Sequence, residues 1–212
     1  AHFFKRTMET LIAIRCEDFV MVAASEQENF HFIQLRKDTE KVHSVAPRKL
    51  LGVLGDNAYR TRFTDYIARN LALMRFRKRG KDISTKAFAN YARLELASSL
   101  RSESGPYECS LVVAGVDLDS KQGTSDSHLY FLDYMGTISQ VPYCSHGYGA
   151  TFAMAILDRF YQPQMTQAEC AELLKKCIRE VQKRIIVQNS QFDVKIVSKE
   201  GVSAFIEAGS ND

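Results

Sequence analysis

The chain has 212 residues, 45% of them hydrophobic, which is enough for the core of one large domain. Its 28 basic and 25 acidic side chains give a formal charge of +3, so no strong overall field favours nucleic acid or a membrane surface, and no apolar run of 18 residues is present. Five cysteines without a Cys-x-x-Cys pair predict reduced core thiols in a soluble, intracellular protein.

The first quarter of the chain predicts β-sheet. Thr10–Ser25 has the pattern of two strands joined by a tight turn at residues 16–18. Residues 19–24 are all apolar, which is typical of a strand that is buried on both faces. Further strands are predicted at Phe30–Lys37, Glu40–Val45 and Leu50–Leu54. Other parts of the fold must therefore cover both faces of this sheet.

Two amphipathic helices are predicted next. In the first, Phe63, Ile67 and Leu71 recur at helical spacing. The polar side of this helix is predicted to carry Arg60, Arg62, Asp65 and Arg69. The second helix is predicted to begin at Ser84, a favoured N-cap residue, and to end before Gly105-Pro106.

The second half of the chain repeats this order of strands, two helices and strands. Strands are predicted at Cys109–Val116, His128–Asp133 and Thr137–Val141, with a polar loop at Asp117–Ser127. A helix follows at Gly149–Tyr161, and a capping box of Thr166 and Glu169 starts another. The chain is predicted to end in a hairpin formed by Phe192–Val197 and Val202–Ile206.

Runs of strands and pairs of helices predict stacked layers rather than a doubly wound parallel sheet. Strands that are buried on both faces need a helix layer on one side and a second sheet on the other. We therefore predict an α+β protein with a four-layer αββα sandwich, in which two antiparallel sheets lie between two helix layers.

Several segments together resemble a β subunit of the proteasome core particle. They are residues 10–14, residues 20–25, Lys41-Val42, Gly52-Val53-Leu54-Gly55 and residues 143–149. The resemblance extends from Met8 to Ile206, and Leu157-Asp158-Arg159 with Tyr161 is most similar to the non-catalytic subunit at the fourth position of the eukaryotic β ring. It implies the N-terminal nucleophile hydrolase type of fold, with a short extension at 1–7, one domain at 8–208 and a tail at 209–212.

The nucleophile of this family is an N-terminal threonine, whose free α-amine activates its hydroxyl group. The resemblance places Met8 at that position, and methionine has no nucleophilic oxygen. Thr7 is one residue out of register and would face the opposite side of a strand, and Thr10 would lie about 6–7 Å away along it. The family's supporting aspartates and serines are replaced by Ala24, Ile185, Gln188 and Tyr148.

Two positions keep the residues that the resemblance associates with catalysis. Lys41 matches the lysine that stabilises the ionised nucleophile, and Gly55 matches the glycine whose amide donates to the oxyanion. Because their partners are absent, we expect Lys41 to be structural and both residues to be remnants. Catalytic residues, a metal site and a cofactor site are therefore predicted to be absent.

Three other features allow a functional and a structural interpretation. His146 could be a general base, but a hydrogen-bonded loop histidine is favoured, and Cys144 has too few neighbouring ligands for a metal site. Gly147-Tyr148-Gly149 matches only part of a phosphate-binding loop. The basic run Arg75–Lys81 could bind phosphates, although cations are also favoured at a helix C-terminus and a solvated or partner-facing helix end is preferred.

These observations predict a non-catalytic, structural β subunit of the proteasome core particle, acting in ubiquitin-dependent protein degradation. The resemblance implies a seven-membered β ring, an opposing β ring and an adjacent α ring as partners, and unfolded polypeptides that pass through the chamber. It also implies the cytoplasm and nucleus, with no nucleic acid or membrane partner. The alternatives are an active N-terminal threonine hydrolase with unusual maturation and, more weakly, a polyanion-binding module that uses residues 75–81.

Overall fold

A computed structural model describes residues 9–30, 33–103, 105–118, 125–185 and 191–205 of the chain. The strands within these ranges are β1 (Thr10–Arg15), β2 (Phe19–Ser25), β3 (Glu28–Phe30), β4 (Ile33–Arg36), β5 (Val42–Ala46), β6 (Lys49–Gly55), β7 (Cys109–Leu118), β8 (Ser125–Leu132), β9 (Ile138–Gln140), β10 (Tyr143–Gly147), β11 (Phe192–Ser198) and β12 (Gly201–Ala204). The helices are α1 (Asn57–Arg77), α2 (Thr85–Ser99), α3 (Ala150–Phe160) and α4 (Gln167–Arg184).

The strands form two five-stranded antiparallel sheets. The first has the order β10-β1-β2-β11-β12 and the second has the order β5-β6-β7-β8-β9. Side chains of both sheets form one buried cluster between them, while α3 and α4 cover the first sheet and α1 and α2 cover the second. The predicted four-layer αββα sandwich is therefore confirmed.

Strand β2 lies at the centre of the first sheet, between β1 and β11. Val20, Val22 and Ala24 face the second sheet, whereas Met21 and Ala23 face the helices α3 and α4. Successive side chains of a strand point to opposite faces. The unbroken apolar run at residues 19–24 is explained because each face of β2 is covered by another layer.

The helix signals in the sequence are confirmed at both predicted caps. The Ser84 hydroxyl accepts a hydrogen bond from the Ala87 amide at the start of α2. At the start of α4, Thr166 and Glu169 form a capping box, in which each side chain binds the backbone of the other residue. The cap residues therefore mark both helix starts in the sequence.

Three predicted strand boundaries are wrong. Strand β10 contains His146, for which the sequence predicts a loop. Strands β7 and β8 extend into the predicted loop Asp117–Ser127, because Asp117 pairs with Asp126 and its carboxylate accepts bonds from Lys49 and Thr85. The predicted strand Phe30–Lys37 spans parts of two strands, because Phe30 ends β3 and Ile33–Arg36 form β4. The two pair in a separate two-stranded sheet, and residues 31–32 lie outside the described ranges.

All five cysteines are buried free thiols, as the sequence predicts. Burial raises the pKa of Cys109 and of Cys144 to about 12, so both side chains are thiols rather than thiolates at neutral pH. Among the described residues, no helix combines the length and the apolar character needed to cross a membrane.

Candidate functional site

Of the residues that the resemblance associates with catalysis, Lys41 lies beside the beginning of β1. Residues 1–8 are outside the described ranges, so the predicted nucleophile position Met8 and the alternative Thr7 are not placed. Glu9 is the first described residue, and its side chain is buried. The Thr10 amide donates to the Ser25 hydroxyl oxygen over 3.1 Å, which fixes the start of β1 against the end of β2.

Lys41 is fully buried, and its ammonium group has three close partners. Its Nζ atom donates to the carbonyl oxygens of Ser25 at 2.6 Å and Gln27 at 2.5 Å. The third partner is the Glu9 carboxylate, whose Oε1 lies 3.1 Å from Nζ. A lysine ammonium has three N–H donors, so these three oxygens occupy all of them. Ala24, which the resemblance places at the position of the family's aspartate, is buried between the sheets and offers Lys41 no side-chain acceptor.

Arg60 adds a second buried cation, although the sequence places it on the polar face of its helix. Only 2% of the residue is exposed, because the first turn of α1 turns it toward Glu9 and Glu28. Its Nη1 atom lies 3.6 Å from Glu9 Oε1, and its Nη2 atom lies 3.7 Å from Glu28 Oε2. Nη2 also donates to the side-chain oxygen of Asn57 at 2.9 Å. The prediction for Arg60 is therefore wrong.

Glu9, Glu28, Lys41 and Arg60 form what we call the charge cluster. Two carboxylates and two cations make it neutral when all four are ionised. Burial raises the pKa of the Glu9 carboxyl above its usual value, against the opposing effect of Lys41 and Arg60. Burial also lowers the pKa of Lys41, against the opposing effect of Glu9. The low-dielectric surroundings therefore disfavour the charged forms of both Glu9 and Lys41, and the pairing of their opposite charges favours these forms.

Gly55, the second predicted remnant, has a structural requirement of its own. It ends β6 with a φ of 151°, and a Cβ atom there would lie 2.4 Å from the carbonyl oxygen of Glu108. Only glycine fits so close an approach between the end of β6 and the start of β7. Two residues earlier, the Val53 amide donates to the Lys41 carbonyl oxygen at 2.9 Å, so β6 also holds the backbone of Lys41.

His146 is a structural residue in a strand rather than in the predicted loop. It lies in β10, its ring is stacked on Phe131 with 4.2 Å between centroids, and its Nε2 donates to the Leu111 carbonyl oxygen at 3.1 Å. Burial lowers the pKa of His146 to about 4. The imidazole is therefore neutral at physiological pH and committed to a backbone hydrogen bond. The predicted hydrogen bond is confirmed.

The glycine-rich turn Gly147-Tyr148-Gly149 packs against the start of β1. A Cβ atom on Gly147, whose φ is 87°, would lie 1.9 Å from the Glu9 carbonyl oxygen, and one on Gly149 would lie 2.3 Å from the Thr10 hydroxyl oxygen. The Tyr148 amide donates to the same Glu9 carbonyl at 3.2 Å. Close backbone packing explains both glycines, so the turn has a structural role.

Sequence reasoning finds Lys41 but misses the rest of the charge cluster. Glu9, Glu28 and Arg60 come from three separate segments of the chain, and each belongs to a residue type that is usually exposed. Of the other positions that the resemblance assigns to the family's aspartates and serines, Ile185 caps the end of α4, and Gln188 lies outside the described ranges. The described part of the chain contains no group of three or more His, Cys, Asp or Glu side chains that could hold a metal ion.

Comparisons with known proteins agree with this geometry. The family model described as "Proteasome subunit" matches residues 6–197. The chain is 42% identical to "Proteasome subunit beta type-2" of Trypanosoma brucei brucei, over 92% of this chain and 96% of that protein. It is 35% identical to "Proteasome subunit beta type-2" of Oryza sativa subsp. japonica, over 97% of this chain and 93% of that protein. It is 32% identical to "Proteasome subunit beta type-4" of Saccharomyces cerevisiae, over 92% and 96% respectively.

Proposed function

The chain belongs to the proteasome subunit family and is a β-type member of it, and from this premise we propose that it has no peptidase activity of its own. Its role is structural, as a component of the β ring of the core particle. The αββα sandwich is the N-terminal nucleophile hydrolase type of fold.

The observation that carries the proposal is the occupied ammonium group of Lys41. A lysine that stabilises an ionised nucleophile needs a free N–H directed at that nucleophile. All three N–H donors of Lys41 are directed at Ser25, Gln27 and Glu9. The methionine at position 8, where the resemblance places the nucleophile, supports the same conclusion.

We further propose the partners and the location that this role requires. The subunit would occupy one place in a seven-membered β ring, against an opposing β ring and an adjacent α ring. Unfolded polypeptides would pass through the enclosed chamber during ubiquitin-dependent degradation, with peptide bonds cleaved by neighbouring subunits. The proposed location is the cytoplasm and the nucleus.

The test uses the assembled particle purified from its source cells. An electrophilic peptide that reacts with N-terminal threonines is added, and the intact mass of every subunit is measured. We expect the mass of this chain to be unchanged while other β subunits gain the probe. An adduct on this chain would overturn the proposal.

Sequencing the N-terminus of this chain in the same particle distinguishes the inactive subunit from an active threonine hydrolase with unusual maturation. An active hydrolase with unusual maturation must begin at a threonine, because its own α-amine is the base. A mature chain that begins at Thr7 or Thr10 would therefore favour that alternative. Any other N-terminal residue supports the inactive subunit.

A further inference from the structure

The C-terminal end of α1 carries a dense positive charge. Five of the seven residues from Arg75 to Lys81 are basic, and none is acidic. Asp82 is the nearby carboxylate, with Oδ1 3.0 Å from Arg75 Nε and Oδ2 3.3 Å from an Arg48 nitrogen. Across the described ranges, no ion pair is formed by the other four cations of this run. The charge at this helix end is therefore largely uncompensated by the residues that the structure describes.

A large aromatic side chain lies in the middle of this charge. Phe76 is 83% exposed, the highest exposure among the large hydrophobic side chains of the described residues. It lines a shallow surface depression with Ala72, Arg75, Arg79 and Gly80. An aromatic ring in water adds nothing to the stability of the folded chain, whereas aromatic and arginine side chains are the usual anchors of protein interfaces.

The backbone at this helix end is held in an unfavourable conformation. The amide of Arg79 donates to the Phe76 carbonyl and that of Gly80 donates to the Arg75 carbonyl, which is the Schellman pattern of helix termination. The left-handed position in this motif usually belongs to glycine, but here it is Arg79, with a φ of 55°. Arg79 is the one non-glycine residue with positive φ in the described part of the chain.

We propose that this end of α1 is a docking surface for an acidic polypeptide segment of a neighbouring subunit. The segment would place an apolar side chain against Phe76 in the depression, and its carboxylates would pair with Arg77, Lys78 and Arg79. The inference rests on the proposed function, because it needs an assembled partner. It adds the location of one contact and the chemistry of the segment that makes it.

Charge and shape favour an acidic polypeptide over a nucleic acid. The basic run lies at one helix end of a chain whose formal charge is only +3, and Asp82 lies beside it. Nucleic-acid sites extend as basic stripes along the phosphate backbone and often contain several stacked aromatic rings. A single aromatic ring with guanidinium groups around it matches one apolar side chain among carboxylates.

The left-handed backbone of Arg79 allows a variant that removes the guanidinium group without destabilising the fold. Arg79→Gly relieves the left-handed conformation, so it cannot weaken docking by weakening the fold. We also use Phe76→Ser and the triple variant Arg77→Glu/Lys78→Glu/Arg79→Glu. The matched controls are Leu94→Ser, at an exposed apolar residue of α2, and Arg62→Glu, at an exposed basic residue of α1.

Each tagged variant is expressed beside the untagged wild-type chain, and the share of tagged chain in the purified core particle is measured. We expect the triple variant and Phe76→Ser to lose about tenfold or more in incorporation. The incorporation of Arg79→Gly should also be reduced, while the protease resistance of its unassembled chain should be unchanged or greater. Both control variants should be incorporated as well as the wild type. Equal incorporation of all variants, or equal loss in the controls, would overturn the inference.

The chemistry of the partner is tested by a photo-crosslinking amino acid at position 76 in the assembled particle. We expect the crosslinked peptide to come from a neighbouring subunit and to contain two or more carboxylates. Replacing them with lysine should restore the incorporation of the triple variant. A crosslink to nucleic acid, or to a peptide without carboxylates, would refute the docking proposal. A tagged wild-type chain that is absent from the particle would instead refute the proposed function, and this inference would fall with it.

Discussion

Lys41 retains the residue type of a catalytic lysine, while its surroundings give it a structural role. The ammonium group ties the end of β2 to the start of β1 through Ser25, Gln27 and Glu9. Glu9 supplies the negative charge that Ala24 cannot. Removing either partner of a buried pair leaves a charge without compensation, so Lys41 and Glu9 stabilise this part of the fold as a pair.

The first prediction concerns restoration of the nucleophile. Met8→Thr alone should create no peptidase activity, because Lys41 has no free N–H donor and Ala24 provides no carboxylate. Residues that act as a catalytic unit contribute non-additively, so one restored member is not enough. Peptide hydrolysis is measured in particles whose catalytic subunits carry a covalent inhibitor. Turnover above that of equally inhibited particles that contain the wild-type chain would show that the nucleophile position is misassigned.

The second prediction is a pH dependence from Glu9. Because the pKa of Glu9 is raised above 4.5 in the folded chain, the folded state holds more protons than the unfolded state just above that pH. The contribution of Glu9 to the free energy of unfolding therefore falls as pH rises through this window. We expect Glu9→Gln, which cannot ionise, to gain stability relative to wild type as pH rises above 4.5.

This difference is measured by urea unfolding of both proteins, read out by pulse proteolysis at low protein concentration. Lys41, Arg60 and Glu28 are present in both chains, so the difference reports on position 9. A relative stability that is constant with pH, or that changes in the opposite direction, contradicts the raised pKa.

The third prediction has the opposite sign and concerns His146. Its pKa falls from 6.5 to about 4 on folding, so the unfolded chain binds more protons between these values. The stability from His146 is complete above pH 6.5 and is lost as pH falls toward 4, by about 3 kcal/mol in total. His146→Gln keeps an N–H donor for Leu111 but does not titrate. Its unfolding free energy should therefore decline less between pH 6.5 and 4, and an unchanged slope would contradict the assignment.

At the scale of the elements, the glycine-rich turn after β10 fixes the distance between β10 and the residue before β1.

The fourth prediction compares two glycines with similar backbone angles. Gly147 has a φ of 87° and no room for a Cβ atom, whereas Gly80 has a φ of 84° and no atom within 4 Å of that position. Gly80→Ala should lower the unfolding free energy by only about 1–2 kcal/mol, which is the strain of a left-handed backbone at an alanine.

Gly147→Ala adds a collision with the Glu9 carbonyl oxygen, whose backbone cannot move without disturbing the charge cluster. We therefore expect a loss of about 3 kcal/mol or more in unfolding free energy. Urea unfolding of the two variants, read out by pulse proteolysis at low protein concentration, gives the difference in unfolding free energy. Equal losses would mean that the turn and Glu9 are not packed together.

The elements also show which parts of the fold the sequence could predict. Apolar runs and cap residues are local signals, and they predict β2, β6, α2 and α4. Strand β10 is missed because its central residues Ser145 and His146 are polar although they are buried. Their burial depends on hydrogen bonds to the carbonyls of Leu11 and Leu111. Local hydropathy contains no information about such long-range partners.

The same reasoning explains the outcome for the charge cluster. Arg60 has polar neighbours in the sequence, and only the arrival of Glu9 and Glu28 from other elements makes its burial possible. Lys41 could be found because the resemblance assigned it a role, and not because of its own pattern. A site whose members compensate one another across elements becomes visible only when those elements are placed together.

At the scale of the whole molecule, the subunit exposes apolar surface that a monomer has no use for. The clearest case is the separate β3–β4 hairpin, where Ile33 is 65% exposed and Leu35 is 59% exposed. These side chains are two residues apart in β4 and so lie on the same face. Exposed apolar patches of this kind are typical of surfaces that partners cover.

The last prediction follows from this surface. The isolated chain should bind a hydrophobic fluorescent dye and aggregate, and Ile33→Ser/Leu35→Ser should lower both signals. Because the two side chains are exposed, the unfolding free energy should change by less than about 0.5 kcal/mol. The control is Met135→Ser, at an exposed apolar residue in the turn before β9, which should leave dye binding near the wild-type level. A monodisperse wild-type monomer with low dye binding would contradict this prediction, because a surface that remains soluble alone gives no reason for partners to cover it.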